Sequence, residues 1–578
     1  MKKHGWGWLA LLALPAAAGD NLLGDHWQLY AEHRNASLTR TGGVLRVEIR
    51  QPSEPFYLTQ VLQNPTRPLP AGHKVELSFS ARAASNNAMR VVLEQNVAPH
   101  EAVVESNPVL GGEWRRFRAG DLTGCAWPAG SLGVKFQVGQ QAGVIEMRDI
   151  RLEDLGEDPR LAAAKVALAP EKIEARIREY RMAALQVEVR DAAGRLVPNA
   201  NIRIEQQRHA FLFGCNVFGL RPDDTSSQQK AYQEKFAALC NYATLPFYWG
   251  TFEPQRDQPQ NERLEKMARW CRAHDITCKG HPLIWHEVWP RWAPADAGAA
   301  LPLLRTRVLD LIPRYRETIR YWDVVNEANS AAHYAQTGVG QWIKREGPAT
   351  AVAVALGWAR EANRQSGALL LYNDYKVTAE NVDLLYGLRE RHALPDAIGL
   401  QSHMHGGPWP LPRAWDVMER FAVFGKPLHF TELTVVSGPE PRHVPGLKVT
   451  PNWNTTPAGE AAQAQYVTEL YTVLFSHPAM RAITWWDFSD FQAWKGAPAG
   501  LLRKDMTPKP VYDALYKLIR GKWWTHTTLQ TTTSGMATAR VFRGTYTITG
   551  SDPAGRTVTQ TVDLPAEGAV PGVRLTLP

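Results

Sequence analysis

Short apolar runs recur through the middle of this chain, and their alternation with helical stretches constrains its fold more than any other feature. Residues 211–214, 276–280, 321–325, 369–372, 397–400, 427–430 and 481–484 each have the length and apolar density of a buried strand, and 240–245 is a weaker eighth. Helical patterns such as 351–364 and 461–475 lie between them. Eight strands separated by helices predict a (β/α)₈ TIM barrel over residues 201–520. A doubly wound sheet shares the alternation but usually needs fewer residues.

The flanks have a different texture. From 21 to 155 the chain alternates apolar and polar residues in short runs such as Val44-Leu45-Arg46-Val47-Glu48-Ile49, separated by Gly, Pro and Asn. That pattern predicts an antiparallel β-sandwich closed by a polar linker at 154–158. Residues 156–200 read as a helical linker and lead-in strands, and 521–578, rich in Thr and Val, as a small C-terminal β domain. At the N-terminus Lys2 and Lys3 precede an apolar run, and Ala16-Ala17-Ala18 offers a cleavage site, so 1–18 read as a signal peptide. The expectation is a secreted or periplasmic protein with no membrane span after the signal is removed.

Composition narrows the function classes. Gly 44 and Pro 40 in 578 residues exclude collagen-like and largely disordered chains. The net charge of +8 is spread without a Lys or Arg block, so nucleic acid is not an expected partner. The 21 Trp are a surplus that suits stacking on flat ligands or sugar faces. Five Cys (Cys125, Cys215, Cys240, Cys271 and Cys278) match no zinc spacing, so no metal site and at most one or two disulfides are expected.

Two strand ends carry an acid: Trp322-Asp323-Val324-Val325-Asn326-Glu327 and His429-Phe430-Thr431-Glu432. Side chains at the C-terminal ends of barrel strands converge on one mouth. Two carboxylates facing each other there are what glycosidic cleavage requires, one to protonate the leaving oxygen and one to attack the anomeric carbon or activate water. Either Glu alone would as readily pair with an Arg; the shared setting favours chemistry. The acid needs a raised pKa, the nucleophile a lowered one, and Asn326 is placed to donate to a sugar hydroxyl.

Several motifs in order resemble glycoside hydrolase family 10, the endo-β-1,4-xylanases, over roughly residues 170–520. The resemblance implies Glu327 as acid/base and Glu432 as nucleophile. Gly280-His281-Pro282-Leu283-Ile284-Trp285-His286 is similar to the third-strand motif, which implies that His281 and Trp285 line the cleaved-sugar subsite. Gly399-Leu400-Gln401-Ser402-His403 resembles the sixth-strand motif, with His403 holding the nucleophile and Gln401 at the substrate. Trp486 and Trp494 fit the family's aromatic pair, and Asp505 with Pro508-Lys509-Pro510-Val511-Tyr512 its ending. Asp323 reads as a structural hydrogen-bonding residue.

The segment also departs from the family. Tyr248 stands where a Lys is expected on the second strand, Thr434 where Asp is common, and the loop 435–459 is long and rich in Pro and Asn. The N-terminal sandwich resembles jelly-roll carbohydrate-binding modules, with Trp27, Tyr57, Trp114 and Trp127 as candidate stacking residues. The expected function is therefore a retaining endo-β-1,4-glycanase, foremost a xylanase, working as a monomer on polysaccharide without a cofactor. The alternatives are the same chemistry on a different or decorated β-glycan, or an inactive carbohydrate-binding scaffold.

Overall fold

The computed structural model describes residues 20–31, 34–84, 87–96, 102–123, 126–405, 407–439, 441 and 449–578. The signal peptide read at 1–18 and Cys125 lie outside them, as does part of the loop 435–459. The chain divides into two compact units, Met1–Ala162 and Ala163–Pro578.

The first unit is a sandwich of two antiparallel five-stranded sheets. Alternation sorts its side chains: along Val44–Ile49, Leu45, Val47 and Ile49 are buried while Arg46 and Glu48 face out. The inward faces meet around Phe79 and Phe136, whose rings sit edge to face at 5.1 Å. The polar stretch read as a linker is the end of a strand, Gly143–Glu157, because Asp154 and Glu157 pair with Val75 and His73 across a register shift. Of the four aromatic candidates, Trp127 is in the core and Trp27 packs on Phe136. Arg82 and Arg148 lie over the ring of Trp114. Tyr57 is exposed.

In the second unit eight parallel strands close into a barrel: β1 (Leu212–Asn216), β2 (Tyr242–Pro246), β3 (Thr277–His281), β4 (Ile319–Asn326), β5 (Leu369–Asp374), β6 (Ala397–Leu400), β7 (Leu428–Val435) and β8 (Met480–Trp485). Each strand pairs with the next in sequence, and β8 pairs back to β1. The strands are buried almost throughout, as expected when helices cover a parallel sheet from outside. Gly280 admits the ring of Trp322 into the wall, since a Cβ there would lie 2.2 Å from it.

The C-terminal β appendage is not made from residues after 520 alone. Met182–Arg190 sits between Met536–Phe542 and Val573–Thr576, and Asn201–His209 sits between His526–Gln530 and Gly544–Ser551. The lead-in strands thus supply the centres of both sheets. Leu185, Val187, Ile202 and Ile204 bury their side chains against Val541, Ile548 and Leu575. Arg181, at the start of this exchange, donates to the carbonyls of Phe475, His477 and Met480 and so ties the appendage to the barrel.

Among the described residues Cys215, Cys240, Cys271 and Cys278 are buried free thiols. No described helix is long and apolar enough to cross a membrane.

Candidate active site

The ends of β3 to β8 bring one set of polar side chains to the barrel mouth. Glu327 follows β4 directly and adopts a left-handed backbone, φ 57° and ψ 46°. A non-glycine residue there costs on the order of 1–2 kcal/mol. The neighbouring strands hold the backbone in place: Glu327 N–H donates to the Asn373 carbonyl at 2.9 Å and Asn326 N–H to the Ile284 carbonyl at 3.0 Å. Backbone strain of this kind concentrates where a side chain must be aimed.

The Glu327 carboxylate accepts three hydrogen bonds. Gln401 Nε2 reaches Oε1 at 2.7 Å, Asn326 Nδ2 reaches the same oxygen at 3.1 Å, and Trp285 Nε1 reaches Oε2 at 3.1 Å. Burial nevertheless dominates, and with the charges of Asp374, Glu432 and Glu287 nearby it overcomes the Gln401 bond and lifts the Glu327 pKa to about 8. Glu327 is therefore protonated at neutral pH.

Glu432, on β7, has the opposite balance. Asn373 Nδ2 donates to Oε1 at 2.8 Å, and His403 Nε2 lies 3.1 Å from Oε2. His281 Nε2 stands 3.8 Å from Oε1. Burial pushes this carboxyl up, but His281, His403 and the more distant Lys279 outweigh it and hold the pKa below the ordinary carboxylate value. Two acids in one pocket are thus separated by their partners.

Side-chain amides connect them. Asn373 donates to Glu432 and, at 2.8 Å, to Asn326 Oδ1; Gln401 donates to Asn326 Oδ1 at 3.2 Å as well as to Glu327. Thr431 donates to Asn373 Oδ1 at 2.6 Å, which orients the Asn373 amide. Asn326 and Gln401, read from the sequence as sugar contacts, are in this structure engaged with the acid carboxylate.

Beneath the mouth is a second polar layer. Asp323 makes an ion pair with fully buried Lys279 at 2.7 Å and accepts from His281 Nδ1 at 2.7 Å. Burial raises the Asp323 pKa, yet Lys279 and His281 hold it low, so it stays ionised and fixes His281 with Nε2 toward the mouth. The aromatic residues form the walls. Trp486 is buried, edge-on to His281 at 5.6 Å and to His403 at 5.8 Å. Trp494 is 44% exposed and leans on His403 at 4.6 Å. Tyr248 lies edge-on to His281 at 5.3 Å and against Trp285 at 5.4 Å.

All nine residues singled out from the sequence (His281, Trp285, Asn326, Glu327, Gln401, His403, Glu432, Trp486 and Trp494) surround this mouth. The sequence reading missed Asn373, Lys279 and Thr431. The polar pair Asn373-Asp374 closing the apolar run of β5 was the available signal, since it repeats the strand-end setting of Asn326-Glu327.

The family model for glycosyl hydrolase family 10 matches residues 206–518. Endo-1,4-beta-xylanase B of Thermotoga neapolitana is 28% identical over 289 residues, 47% of this chain and 78% of that protein. Endo-1,4-beta-xylanase A of Xylanibacter ruminicola is 26% identical over 301 residues, 46% of this chain and 79% of that protein. The crystal structure of native xylanase 10B from Thermotoga maritima aligns with a TM-score of 0.45 and 25% identity, covering 54% of this chain and 96% of that one.

His403 supplies a prediction. Burial lowers its pKa despite the Glu432 bond, and its Nδ1 lies 2.9 Å from the Thr434 hydroxyl. Thr434→Asp places a carboxylate at Nδ1, favours imidazolium and adds positive charge beside Glu432. The Glu432 pKa falls further, and the acid limb of the kcat/KM profile moves to lower pH. The alkaline limb, set by Glu327, stays in place. An acid limb that is unmoved or moves upward contradicts this account of His403.

Proposed function

Because the chain belongs to glycosyl hydrolase family 10, we propose that it is a secreted endo-β-1,4-glycanase that cleaves xylan or a closely related plant cell-wall β-glycan by double displacement. What carries the reading is the opposed protonation of the two mouth carboxyls, Glu327 up to about 8 and Glu432 below the ordinary range. The Glu327 carboxyl delivers its proton to the glycosidic oxygen as the C–O bond breaks, and the Glu432 carboxylate forms an ester to the anomeric carbon. Ester formation removes the Glu432 charge. That charge is one of the influences raising Glu327, so its loss lowers the Glu327 pKa and leaves a carboxylate ready to take a proton from the incoming water. The Glu432 ester then hydrolyses and the anomeric configuration is retained.

Tyr248 favours a bay that reads a decorated or altered chain over plain linear xylan. A Lys at that place would offer three donors, whereas Tyr offers one hydroxyl and an aromatic ring, held edge-on to His281 and tilted against Trp285. A lost polar contact to the sugar costs about 1–3 kcal/mol.

In the N-terminal sandwich, a polysaccharide-binding role is supported by the outward face of one sheet. There Glu94, Lys135 and Gln137 are buried and Arg90 partly so, forming a polar cluster with Lys135 Nζ 3.0 Å from Glu94 and Arg90 Nη1 3.0 Å from Gln137. Buried Gln60 Oε1 has no partner, and Tyr30 and Tyr57 are exposed.

Proton NMR of the first product shows retention, Glu432→Ala loses nearly all turnover, and Glu327→Ala slows poor leaving groups far more than activated aryl glycosides; early inversion refutes the nucleophile role. Decorated oligosaccharides give higher kcat/KM than linear xylo-oligosaccharides. Fast cleavage of the linear ones, indifferent to Tyr248→Phe, reduces Tyr248 to a packing residue. Xylan, glucan or mannan retards the chain in affinity gels, and less so after Tyr57→Ala; retardation by none of the three leaves the sandwich a spacer.

A further inference from the structure

His286 is an isolated polar side chain near the mouth. It follows the end of β3, is 1% exposed, and neither ring nitrogen has a hydrogen-bond partner. A buried imidazole with two unused nitrogens carries a desolvation cost unless something binds it. The ring of Tyr334 packs on one side at 4.1 Å.

Two carboxylates stand beside it. One ligand atom each from His286, Glu287 and Glu327 lie within 4.8 Å of one another. Glu287 is exposed and its Oε1 accepts from Tyr334 O–H at 3.1 Å, so it has room to turn. Both Glu327 oxygens accept from neutral donors, and no described cation pairs with it. The set is one imidazole nitrogen and two carboxyl groups, with no positive charge among them, and a bound cation displaces the Glu327 proton.

We propose that His286, Glu287 and Glu327 form a binding site for a divalent cation of the Zn²⁺ class, and that a cation held there turns hydrolysis off reversibly. Imidazole with carboxylates suits Zn²⁺ and its first-row neighbours; Mg²⁺ and Ca²⁺ prefer all-oxygen sets. Zinc with bonds of about 2.0–2.2 Å fits three such ligands and leaves a fourth position for water. The ligand atoms must close in from their present spacing, and the exposed Glu287 side chain is free to swing toward the other two. A cation bound to Glu327 takes the place of its proton, so the acid cannot serve the leaving group. The binding half of this proposal is independent of the substrate, and of the acid role given to Glu327.

Calorimetry of the untagged full-length chain with ZnCl₂, in a buffer that does not chelate, tests the site. One Zn²⁺ per chain is expected, with affinity falling about tenfold or more in both Glu287→Ala and Glu327→Gln, and no heat from MgCl₂. Cu²⁺ bound in its place should show coupling to a single nitrogen by electron paramagnetic resonance, the signature of His286. Zinc should stop polysaccharide hydrolysis and EDTA restore it. The inhibiting concentration should rise in Glu287→Ala relative to that variant's own zinc-free rate. No binding at millimolar zinc, equal binding in both variants, or zinc bound without loss of hydrolysis would each overturn the proposal.

Discussion

Asn373 spends both protons of its side-chain amide at once, one on Glu432 Oε1 and one on Asn326 Oδ1, each at 2.8 Å. The geometry of the mouth follows from that division. Asn326 turns its own amide protons toward Glu327, and Gln401 closes the other side of the chain by donating to both. The carboxyls therefore sit at opposite ends of a short run of amides, which converges on Asn326 Oδ1 inside and donates to a carboxyl at each end. Amide donors carry no net charge. They fix the positions of both acids and leave burial and nearby ions to decide which one holds a proton.

Burial acts on both carboxyls in the same direction, so the difference comes from their neighbours. Around Glu432 stand His403, His281 and, deeper, the Lys279–Asp323 pair. Around Glu327 stand Asp374 and Glu287, and its remaining partners are neutral donors. A buried Lys–Asp pair is a doubtful source of stability, because the desolvation of both ions offsets much of their attraction. Here it serves the site: it keeps Asp323 ionised and His281 aimed at the nucleophile. The left-handed backbone of Glu327 works the same way, giving up local stability for placement.

How much of this was legible in the sequence depended on how local the signal was. The eight barrel strands show as apolar runs, and Glu327 and Glu432 stand out as acids that end such runs. Asn373 is equally central, but an Asn at a strand end has many bland explanations, and only its two partners reveal its role. Strand partners far apart in sequence were invisible: nothing in Met182–Arg190 says that it lies beside Val573–Thr576. The polar stretch before Pro159 read as a linker because its composition hides a ladder that continues to Glu157↔His73. The aromatic candidates of the sandwich could not be sorted either, since packing and stacking use the same ring faces.

The central claim is that one pocket holds a protonated and an ionised glutamic acid side by side. Carbon-13 NMR titration of the side-chain carboxyls, with glutamate labelled and the two signals assigned through Glu327→Gln and Glu432→Gln, measures this directly. The account predicts that Glu327 titrates at about 8 and that Glu432 titrates below the ordinary carboxylate range. Two carboxyls titrating together in the ordinary range would contradict it.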